Sequence, residues 1–366
     1  MDIMKLKISK DDLLYGITKV QNVVSSKATL PILSNMLLET TKKSTIRLYA
    51  TDLDIGISCE IPVQILEEGA ITLPAKKFND IIKELPEGDV VITTKKNNHI
   101  EIEGEKCLFK LIGLPKEEFP KFPEFKNVEA VVIDQGVLKE MLKMTSFAVS
   151  HEEARYILNG VLLEIEDDII RLVATDGRRL AKSEKKLETP IKKETRIIIP
   201  TKAVYEVMRN IKEEGQLSLL TNANQLLFDI DHVLIATRII EGDYPNYNQV
   251  IPPEQKIKIT INTQGLLAAI KRANLLTTPD FQAVKFEVFK DKLIVSKITP
   301  DLGESREEVG IHYGGSELIV GFNPHFFIEA LKNIETEEVS LELLGADKPG
   351  VIRMNEYLYL ALPMRI

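Results

Sequence analysis

The chain has 366 residues, 44% hydrophobic and 28% charged, a composition typical of water-soluble globular proteins with two or three domains. Its formal net charge of −8 argues against a uniformly basic, nucleic-acid-binding surface, although an acidic average can conceal a local basic region. No run approaches about 18 apolar residues and the N-terminus lacks an apolar signal core, so we predict a cytoplasmic protein that has no membrane partner.

An internal repeat organises the sequence. Ala50-Thr51-Asp52 is echoed 124 residues later by Ala174-Thr175-Asp176, and Phe119-Pro120 is echoed 125 residues later by Tyr244-Pro245. A fainter third copy follows, because Thr299 lies 124 residues beyond the second threonine. Three similar units of about 120 residues therefore fill the chain.

Each unit is predicted to open with a strand and a capped helix. In the first unit, residues 5–8 alternate as in a strand, and Ser9 precedes apolar residues at helical spacing. Asp134 and Asn262 occupy the equivalent cap positions in the second and third units.

A second helix is predicted halfway through each unit, beginning at Pro74, at Pro200 and at Asn323-Pro324. Short alternating runs between the helices, such as residues 90–94 and 293–296, predict strands joined by hairpins. Two helices and roughly eight strands per unit, with both helices able to lie on one sheet face, indicate an α+β fold.

Motifs for catalysis are lacking. Neither a GxxxxGKS nor a GxGxxG loop occurs, and the five histidines are not spaced as metal ligands. Asp52 and Asp54 could hold a hard cation, but turn carboxylates after a strand are the favoured interpretation. The only cysteines, Cys59 and Cys107, are predicted to be buried free thiols in a reducing compartment. We therefore expect no catalytic residue, no metal site and no cofactor.

The six predicted helices differ in charge from the rest of the chain. They contain thirteen Lys or Arg against nine Asp or Glu, a net charge of +4, which leaves −12 for the remainder. Such segregation suits contact with DNA phosphates without base reading. A solvated helix face explains the same charges equally well, so both interpretations stay open on charge alone.

Seven segments, in this order, strongly resemble the bacterial sliding clamp family, the beta subunits of the replicative DNA polymerase III, over essentially the full length. They are Thr29 to Asn35, Ala50 to Leu53, Pro74 to Phe78, Leu85 to Gly88, Arg155 to Gly160, Val173 to Ala181 and the terminal Leu362-Pro363-Met364-Arg365-Ile366. The resemblance implies three DNA-clamp domains and a head-to-tail homodimer that closes a ring, with helices lining a central hole and antiparallel sheets outside. We place the domains at residues 1–127, 128–252 and 253–366, where two Pro-rich joins lie one repeat apart.

A size estimate supports two copies of the chain. Six helices spaced about 9 Å apart form a circle with almost no opening once the helix radius of about 5 Å is removed. Twelve helices leave roughly 24 Å, enough for duplex DNA. When one surface of a subunit binds a different surface of the next, the assembly forms a ring if the rotation between neighbouring subunits returns to the first subunit.

The resemblance implies a non-catalytic processivity factor that encircles duplex DNA and tethers the replicative polymerase. The implied partners are double-stranded DNA, a second copy of the chain, the DNA polymerase III alpha subunit, the clamp loader, and other polymerases and repair proteins that carry short linear motifs. Two alternatives are a metal-dependent nucleic-acid enzyme and a repeat scaffold that binds only protein. Neither explains the terminal LPMRI and the ATDGRRLA stretch together.

The family's partner-peptide pocket lies between its second and third domains, and its positions map onto this chain. They are Leu158, Thr175, Gly177, Arg178, Arg179, Leu180, Pro245, Val250, Phe281, Asn323, Phe326, Leu360, Ala361, Leu362, Pro363, Met364, Arg365 and Ile366. Leu180, Val250, Leu362 and Met364 are suited to an apolar groove, where methionine adapts to varied ligands.

Two residues depart from some members of the family. Gln249 stands where some carry Arg, which removes one charged contact to the peptide, and Arg178 replaces a His. The loop from Gly345 to Gly350 aligns poorly, and no role is assigned to it.

The resemblance also implies DNA-contacting and dimer-forming residues. Lys27, His151, Arg155 and Tyr156 match family loop positions at DNA, and Lys76, Lys77, Lys202 and Arg209 are further candidates because they recur at helix starts or faces. For the dimer, Phe109 and Leu111 match the edge-strand side, and Leu275 and Leu276 match the opposing helix. Asp301 and Glu304 are candidates to face Lys76 or Lys77 there.

Overall fold

The structure is a computed structural model that describes residues 3–24, 30–187, 194–255 and 258–366. The chain divides into two compact units, Met1–Gly136 with Tyr205–Ile239, and Val137–Val204 with Ile240–Ile366. The described residues contain six α-helices: α1 (Lys10–Val20), α2 (Ala75–Glu84), α3 (Gln135–Thr145), α4 (Thr201–Asn210), α5 (Thr263–Asn274) and α6 (Pro324–Leu331).

The strands follow the three sequence repeats. The first repeat contains β1 (Lys5–Ser9), β2 (Asn35–Thr40), β3 (Thr45–Thr51), β4 (Ile55–Pro62), β5 (Gln64–Glu67), β6 (Ala70–Pro74), β7 (Asp89–Thr94), β8 (His99–Gly104) and β9 (Cys107–Ile112). The second contains β10 (Ala130–Asp134), β11 (Gly160–Glu166), β12 (Ile169–Thr175), β13 (Arg179–Lys186), β14 (Thr195–Pro200), β15 (Gln216–Thr221), β16 (Gln225–Ile230) and β17 (Val233–Arg238). The third contains β18 (Ile259–Asn262), β19 (Val284–Val288), β20 (Lys292–Thr299), β21 (Gly303–His312), β22 (Leu318–Phe322), β23 (Glu338–Leu343), β24 (Gly350–Met354) and β25 (Tyr357–Ala361).

The predicted helix starts are confirmed. The Ser9 hydroxyl accepts the Asp12 N–H at 3.1 Å, and the Asn262 and Asn323 side chains accept the N–H groups of Gly265 (2.8 Å) and His325 (3.0 Å). These side-chain acceptors pair backbone N–H groups that the first helical turn leaves without an intrahelical partner.

All paired strands in the described residues are antiparallel, as the α+β prediction requires. The first of the two compact units contains a five-stranded sheet, in the order β5-β1-β7-β8-β9, and an eight-stranded sheet with strands of the first two repeats, β10-β15-β16-β17-β4-β3-β2-β6. The second unit contains one twelve-stranded sheet, β14-β11-β12-β13-β25-β24-β23-β18-β21-β20-β19-β22.

Two strand pairs join successive repeats, and both follow the same rule. β17, the last strand of the second repeat, pairs with β4 of the first, where Thr237 lies opposite Ile55. β25, the last strand of the third repeat, pairs with β13 of the second, where Ala361 lies opposite Arg179. These residues are related by the same 124-residue offset, so the two joins have one register.

Two strand edges have no described partner under this rule. β9, the last strand of the first repeat, lies at the end of the five-stranded sheet and pairs only with β8 among the described residues. In β21, residues 303–310 pair with β20 on one side, whereas β18 pairs only with Ile311 and His312 on the other.

The environments of the two cysteines differ. Cys59 is buried in β4, and burial raises the pKa of its thiol to about 11. Cys107 is only partly buried, so the prediction of a buried thiol there is wrong. The physical reason is that β9 is an edge strand whose side chains are largely exposed. Both thiols are free, as predicted.

Candidate functional site

The ATDGRR stretch forms a closed turn after β12. The Thr175 hydroxyl donates to the carbonyl of Arg179 and accepts the Gly177 N–H, while Asp176 Oδ1 accepts the N–H groups of Arg178 (2.8 Å) and Arg179 (3.0 Å). Gly177 has a φ of +85°, a conformation that side chains with a Cβ rarely adopt.

The earlier echo forms the same turn after β3. The Thr51 hydroxyl donates to the Ile55 carbonyl and accepts the Leu53 N–H, and Asp52 Oδ1 accepts the N–H groups of Asp54 and Ile55. The repeated Thr-Asp pair is therefore a turn-forming device, which confirms that Asp52 is a turn carboxylate after a strand. Within the described residues, no group of three or more His, Cys, Asp or Glu side chains is arranged to hold a metal ion.

Arg179 connects this turn to α6. Its buried guanidinium donates to Asp176 Oδ2 at 3.0 Å, to the Phe147 carbonyl at 2.6 Å and to Glu329, and it lies 4.8 Å from the centre of the Phe326 ring. Burial by itself would lower the pKa of Arg179, but the hydrogen bond to Glu329 and the nearby carboxylates outweigh burial and raise it. Arg179 is thus a buried cation that holds the turn, α6 and the Phe147 carbonyl together.

Beneath the turn lies an apolar cluster that we call the groove floor. Its buried members are Leu162, Val173, Leu180, Ile198, Tyr244, Tyr247, Val351, Leu358 and Leu360, and the partly buried Leu158 packs against them. Of the groove residues predicted from the sequence, the cluster brings together Leu158, Leu180 and Leu360, and Ala361 is buried next to it in β25. Val250 and Leu362, by contrast, are 55% and 41% exposed. The exposed pair is therefore available to a ligand, while the buried leucines form the base.

The C-terminal segment is held at two points. The Leu362 N–H donates to the Arg178 carbonyl at 2.8 Å, and the Met364 N–H donates to the Gly321 carbonyl of β22 at 2.8 Å. Pro363 lies between these anchors, and Arg365 and Ile366 are exposed. The terminal segment is thus an ordered extension beside β22, with its last side chains open to solvent.

The remaining predicted groove residues occupy separate positions. Asn323 caps α6, and Pro245 is exposed between the two buried tyrosines of the groove floor. Phe281 is 47% exposed in the loop before β19, and its ring centre lies 6.0 Å from the Lys297 ammonium. Gln249 is exposed beside Val250.

Tyr244 and Tyr247 were not predicted as site residues. Tyr247 donates its hydroxyl hydrogen to Glu164 at 2.6 Å, and burial raises the pKa of both phenols. The available signal was the Tyr244-Pro245 repeat itself, which aligns with Phe119-Pro120 and marks an aromatic residue that both copies bury.

The predicted DNA loop lies against the Thr-Asp turn. His151, Arg155 and Tyr156 are all exposed, and Arg155 lies in the 3₁₀ segment Glu153–Leu158. The Arg155 guanidinium donates to the Asp176 carbonyl at 2.6 Å and pairs with Glu152 at 3.3 Å. A Cβ at Gly177 would lie 2.8 Å from this guanidinium, so the glycine also makes room for Arg155.

The helix candidates for DNA contact are less uniform. Lys76, Lys77 and Lys202 are exposed in the first turns of α2 and α4. Arg209 forms an i,i+3 ion pair with the buried carboxylate of Glu206, so its charge is partly neutralised within the chain. Lys27 lies outside the described residues.

We predict that Arg179→Met destabilises the protein by roughly 2–4 kcal/mol, because it leaves the Asp176 and Glu329 carboxylates without their buried cation. The cost falls toward the lower figure because Glu329 is partly exposed. Urea unfolding measures the change. Arg178→Met, at the adjacent exposed position, is the matched control and should stay within about 0.5 kcal/mol. Equal stability of the two variants would contradict the structural role of Arg179.

Comparison with known proteins assigns the family. Three family models match: the N-terminal domain of the DNA polymerase III beta subunit at residues 4–123, its central domain at 132–246 and its C-terminal domain at 248–365. The chain is 32% identical to the beta sliding clamp of Chlamydia pneumoniae over 99% of both chains, and 32% identical to that of Bacillus subtilis over 99% of this chain and all of the relative.

Solved structures agree. The DNA polymerase sliding clamp from Bacillus subtilis superposes with a TM-score of 0.95 at 31% identity, covering 99% of each chain. The DNA polymerase III subunit beta from Pseudomonas aeruginosa, bound to griselimycin, superposes with a TM-score of 0.94 at 28% identity, covering 99% of this chain and all of that one. The chain therefore belongs to the DNA polymerase III beta subunit family, the sliding clamps of DNA replication, which are non-catalytic processivity factors.

Proposed function

We propose that two copies of this chain close head to tail into a ring around duplex DNA, and that the ring presents the groove at its C-terminal segment to partner peptides. The proposal keeps the three domains at residues 1–127, 128–252 and 253–366, and a cytoplasmic location. In the described part of the chain, no helix combines the length and apolar character that crossing a bilayer requires. The observation that carries the proposal is the pair of unpartnered strand edges.

Applying the internal rule once more pairs these two edges. The last strand of one repeat joins the strand that begins four residues after the recurring threonine (Thr51, Thr175 or Thr299) of the preceding repeat, so β9 of one protomer should join β21 of its partner. β17 follows β9 by 126 residues, and β21 follows β13 by 124 residues. Transferring the register of the internal joins with these offsets gives Leu111 opposite Gly303, Phe109 opposite Ser305 and Cys107 opposite Glu307. An unpaired edge is a ready template for another chain, and this seam would satisfy both edges.

Side-chain packing at an internal join supports the predicted dimer residues. There the ring centres of Phe147 and Tyr359 lie 5.8 Å apart. Aligning the caps Asp134 and Asn262 makes Leu275 the equivalent of Phe147, and the strand offsets make Phe109 the equivalent of Tyr359.

The exposure of these equivalents fits a join that is still open. Tyr359 is fully buried, whereas Phe109 is 38% and Leu275 78% exposed. Leu111 lies two residues beyond Phe109, and Leu276 lies one residue beyond Leu275, so both are next to the same seam. The register also places Lys110 opposite Glu304, so it favours this lysine over Lys76 or Lys77 as the partner of that acid.

We predict that Glu307→Cys forms a disulfide with Cys107 of the partner subunit. At the internal join the Glu184 N–H donates to the Glu356 carbonyl, so the neighbouring pair, and its equivalent at 107 and 307, is a non-hydrogen-bonded pair. Such pairs have Cα atoms about 4.5 Å apart, within disulfide range. Mild oxidation should give a covalent dimer on non-reducing gels.

Arg306→Cys is the control, because a shift of one residue turns the side chain to the other sheet face. It should remain largely monomeric on the same gels. Cys59 adds little background because its pKa is raised and it is buried. Equal cross-linking of the two variants, or of neither, would contradict the register.

Contact with DNA is supported by lysines placed at a local electrostatic cost. Lys76 and Lys77 lie in the first turn of α2, which contains no acidic residue. The helix macrodipole disfavours cations at this end. The unfavourable placement of two successive lysines is explained if phosphates of DNA are the compensating charges.

We predict that a ring oxidised at both seams in the presence of circular DNA cannot be removed without breaking a covalent bond. After Glu307→Cys is oxidised with nicked circular plasmid, the protein should stay with the DNA through high salt and detergent. Cutting the plasmid, or adding reductant, should release it. Release from intact circles under oxidising conditions would contradict encirclement, and the Arg306→Cys variant controls for trapping by nonspecific disulfides.

The groove is the proposed site for short linear motifs of the DNA polymerase III alpha subunit, the clamp loader, and other polymerases and repair proteins. The buried floor, the exposed Val250 and Leu362, and the anchored terminal segment together support an apolar, preformed peptide site. Phe281, Phe326 and Met364 are proposed to complete the walls. For DNA, the proposed contacts are Lys27, His151, Arg155, Tyr156 and the helix candidates.

We predict that deleting Met364-Arg365-Ile366 abolishes peptide binding while the ring persists, because these residues form a groove wall and contribute nothing to the proposed seam. Fluorescence anisotropy with a labelled peptide carrying the linear motif of a DNA polymerase III alpha subunit measures binding, and light scattering measures the dimer. Unchanged affinity would refute the groove assignment.

A further inference from the structure

The anchor that holds the end of the terminal segment lies on an edge strand. β22 is the outermost strand of the twelve-stranded sheet and pairs with β19 along Leu318–Phe322. On its other side it forms one bridge, between Gly321 and Met364, through the Met364 N–H and the Gly321 carbonyl. The terminal segment thus adds a short strand to the sheet.

Gly321 leaves no room for a side chain. A Cβ built there would lie 2.7 Å from the Met364 carbonyl oxygen and 2.7 Å from Cγ1 of Ile366. The first of these atoms belongs to the backbone, so it cannot move without displacing the segment. Gly321 is buried, and the residues nearest to it are Met364 and Ile366 of the terminal segment.

Backbone conformation does not explain the glycine. Gly321 does not have a positive φ, so a residue with a Cβ could adopt its strand conformation. Since side chains alternate along a strand, a Cβ at 321 would project from the same face as Ile319, which is 51% exposed. A glycine within a strand often marks the close approach of another backbone, and here that backbone is the terminal segment.

We propose that Gly321 is a positioning residue for the partner groove: its missing side chain allows Met364 to bridge to β22, and this bridge sets the wall that the terminal segment contributes. The inference rests on the proposed role of that segment in peptide binding. The other anchor, from Leu362 to Arg178, lies on the near side of Pro363 and does not depend on residue 321. Loss of the bridge therefore frees Met364 while Leu362 stays bound.

The test uses Gly321→Ala in the full chain, with Gly314→Ala as the matched control. Gly314 lies in the connection between β21 and β22, outside the proposed seam, and a Cβ there meets nothing within 4 Å. Amide hydrogen exchange reports the position of the segment without any ligand. In Gly321→Ala the Met364 amide should lose protection while the Leu362 amide retains it. In Gly314→Ala both amides should remain as in the parent.

Peptide binding then connects the bridge to function. Gly321→Ala should weaken binding of the labelled alpha-subunit peptide by about tenfold or more, the scale of an overpacking penalty. In a chain already lacking Met364-Arg365-Ile366, which is predicted not to bind the peptide, urea unfolding is the readout instead. There the same substitution should leave the free energy of unfolding unchanged, because the atoms nearest to a Cβ at residue 321 are gone. This result identifies action through the segment, which a general loss of stability would not produce.

The outcomes separate the two proposals. Unchanged Met364 protection in Gly321→Ala would overturn the role of the glycine. Lost protection with unchanged peptide affinity would leave the bridge as described and overturn its contribution to the groove, whereas the groove itself is tested by the deletion of Met364-Arg365-Ile366. A loss of stability caused by the same substitution in the truncated chain would show that Gly321 acts elsewhere.

Discussion

Backbone hydrogen bonding across strand edges is the constraint on which the assembly depends. Each repeat contributes a last strand and a strand that begins four residues after its recurring threonine, and an antiparallel pair satisfies the N–H and C=O groups of both. A chain of three repeats can make two such joins and leaves one edge of each kind over. A single chain therefore leaves two strand edges that a second copy can pair. A head-to-tail contact that closes by rotation pairs both edges of both copies.

The turn before each joining strand explains why one sequence echo is so clear. Thr51 and Thr175 each bridge their turn through the hydroxyl, and Asp52 and Asp176 each receive two backbone N–H groups. These bonds place the following strand at the start of the join. The second copy then adds Arg179, which fastens its turn to α6 and so prepares the site beside it. One motif thus serves the sheet in the first repeat, and both the sheet and the groove in the second.

Local sequence rules predicted the helices well, because caps and prolines act within a few residues. Ser9, Asn262 and Asn323 cap the helices that their positions indicate. The exposure of Cys107 was beyond those rules, because it depends on which strands have a neighbour. Local rules also could not predict the burial of Arg179, which contacts Glu329 150 residues away in the chain. Nor could they predict the close contact at Gly321, which involves Met364 43 residues away. Which residues lie opposite each other at the proposed seam could not be predicted from the sequence, because the register comes from the two internal strand pairs.

Retention by geometry also accounts for the charge of the protein. A protein that holds DNA by affinity must keep many phosphate contacts, and its binding then falls steeply with salt. A closed ring needs only enough contact to centre the duplex, so weak lysine contacts at helix starts suffice and the chain can carry a net charge of −8. The acidic remainder discourages tight nonspecific binding, which would impede sliding. Separating residence time from contact strength leaves other surfaces free for peptide recognition, the role that we propose for the groove at the terminal segment.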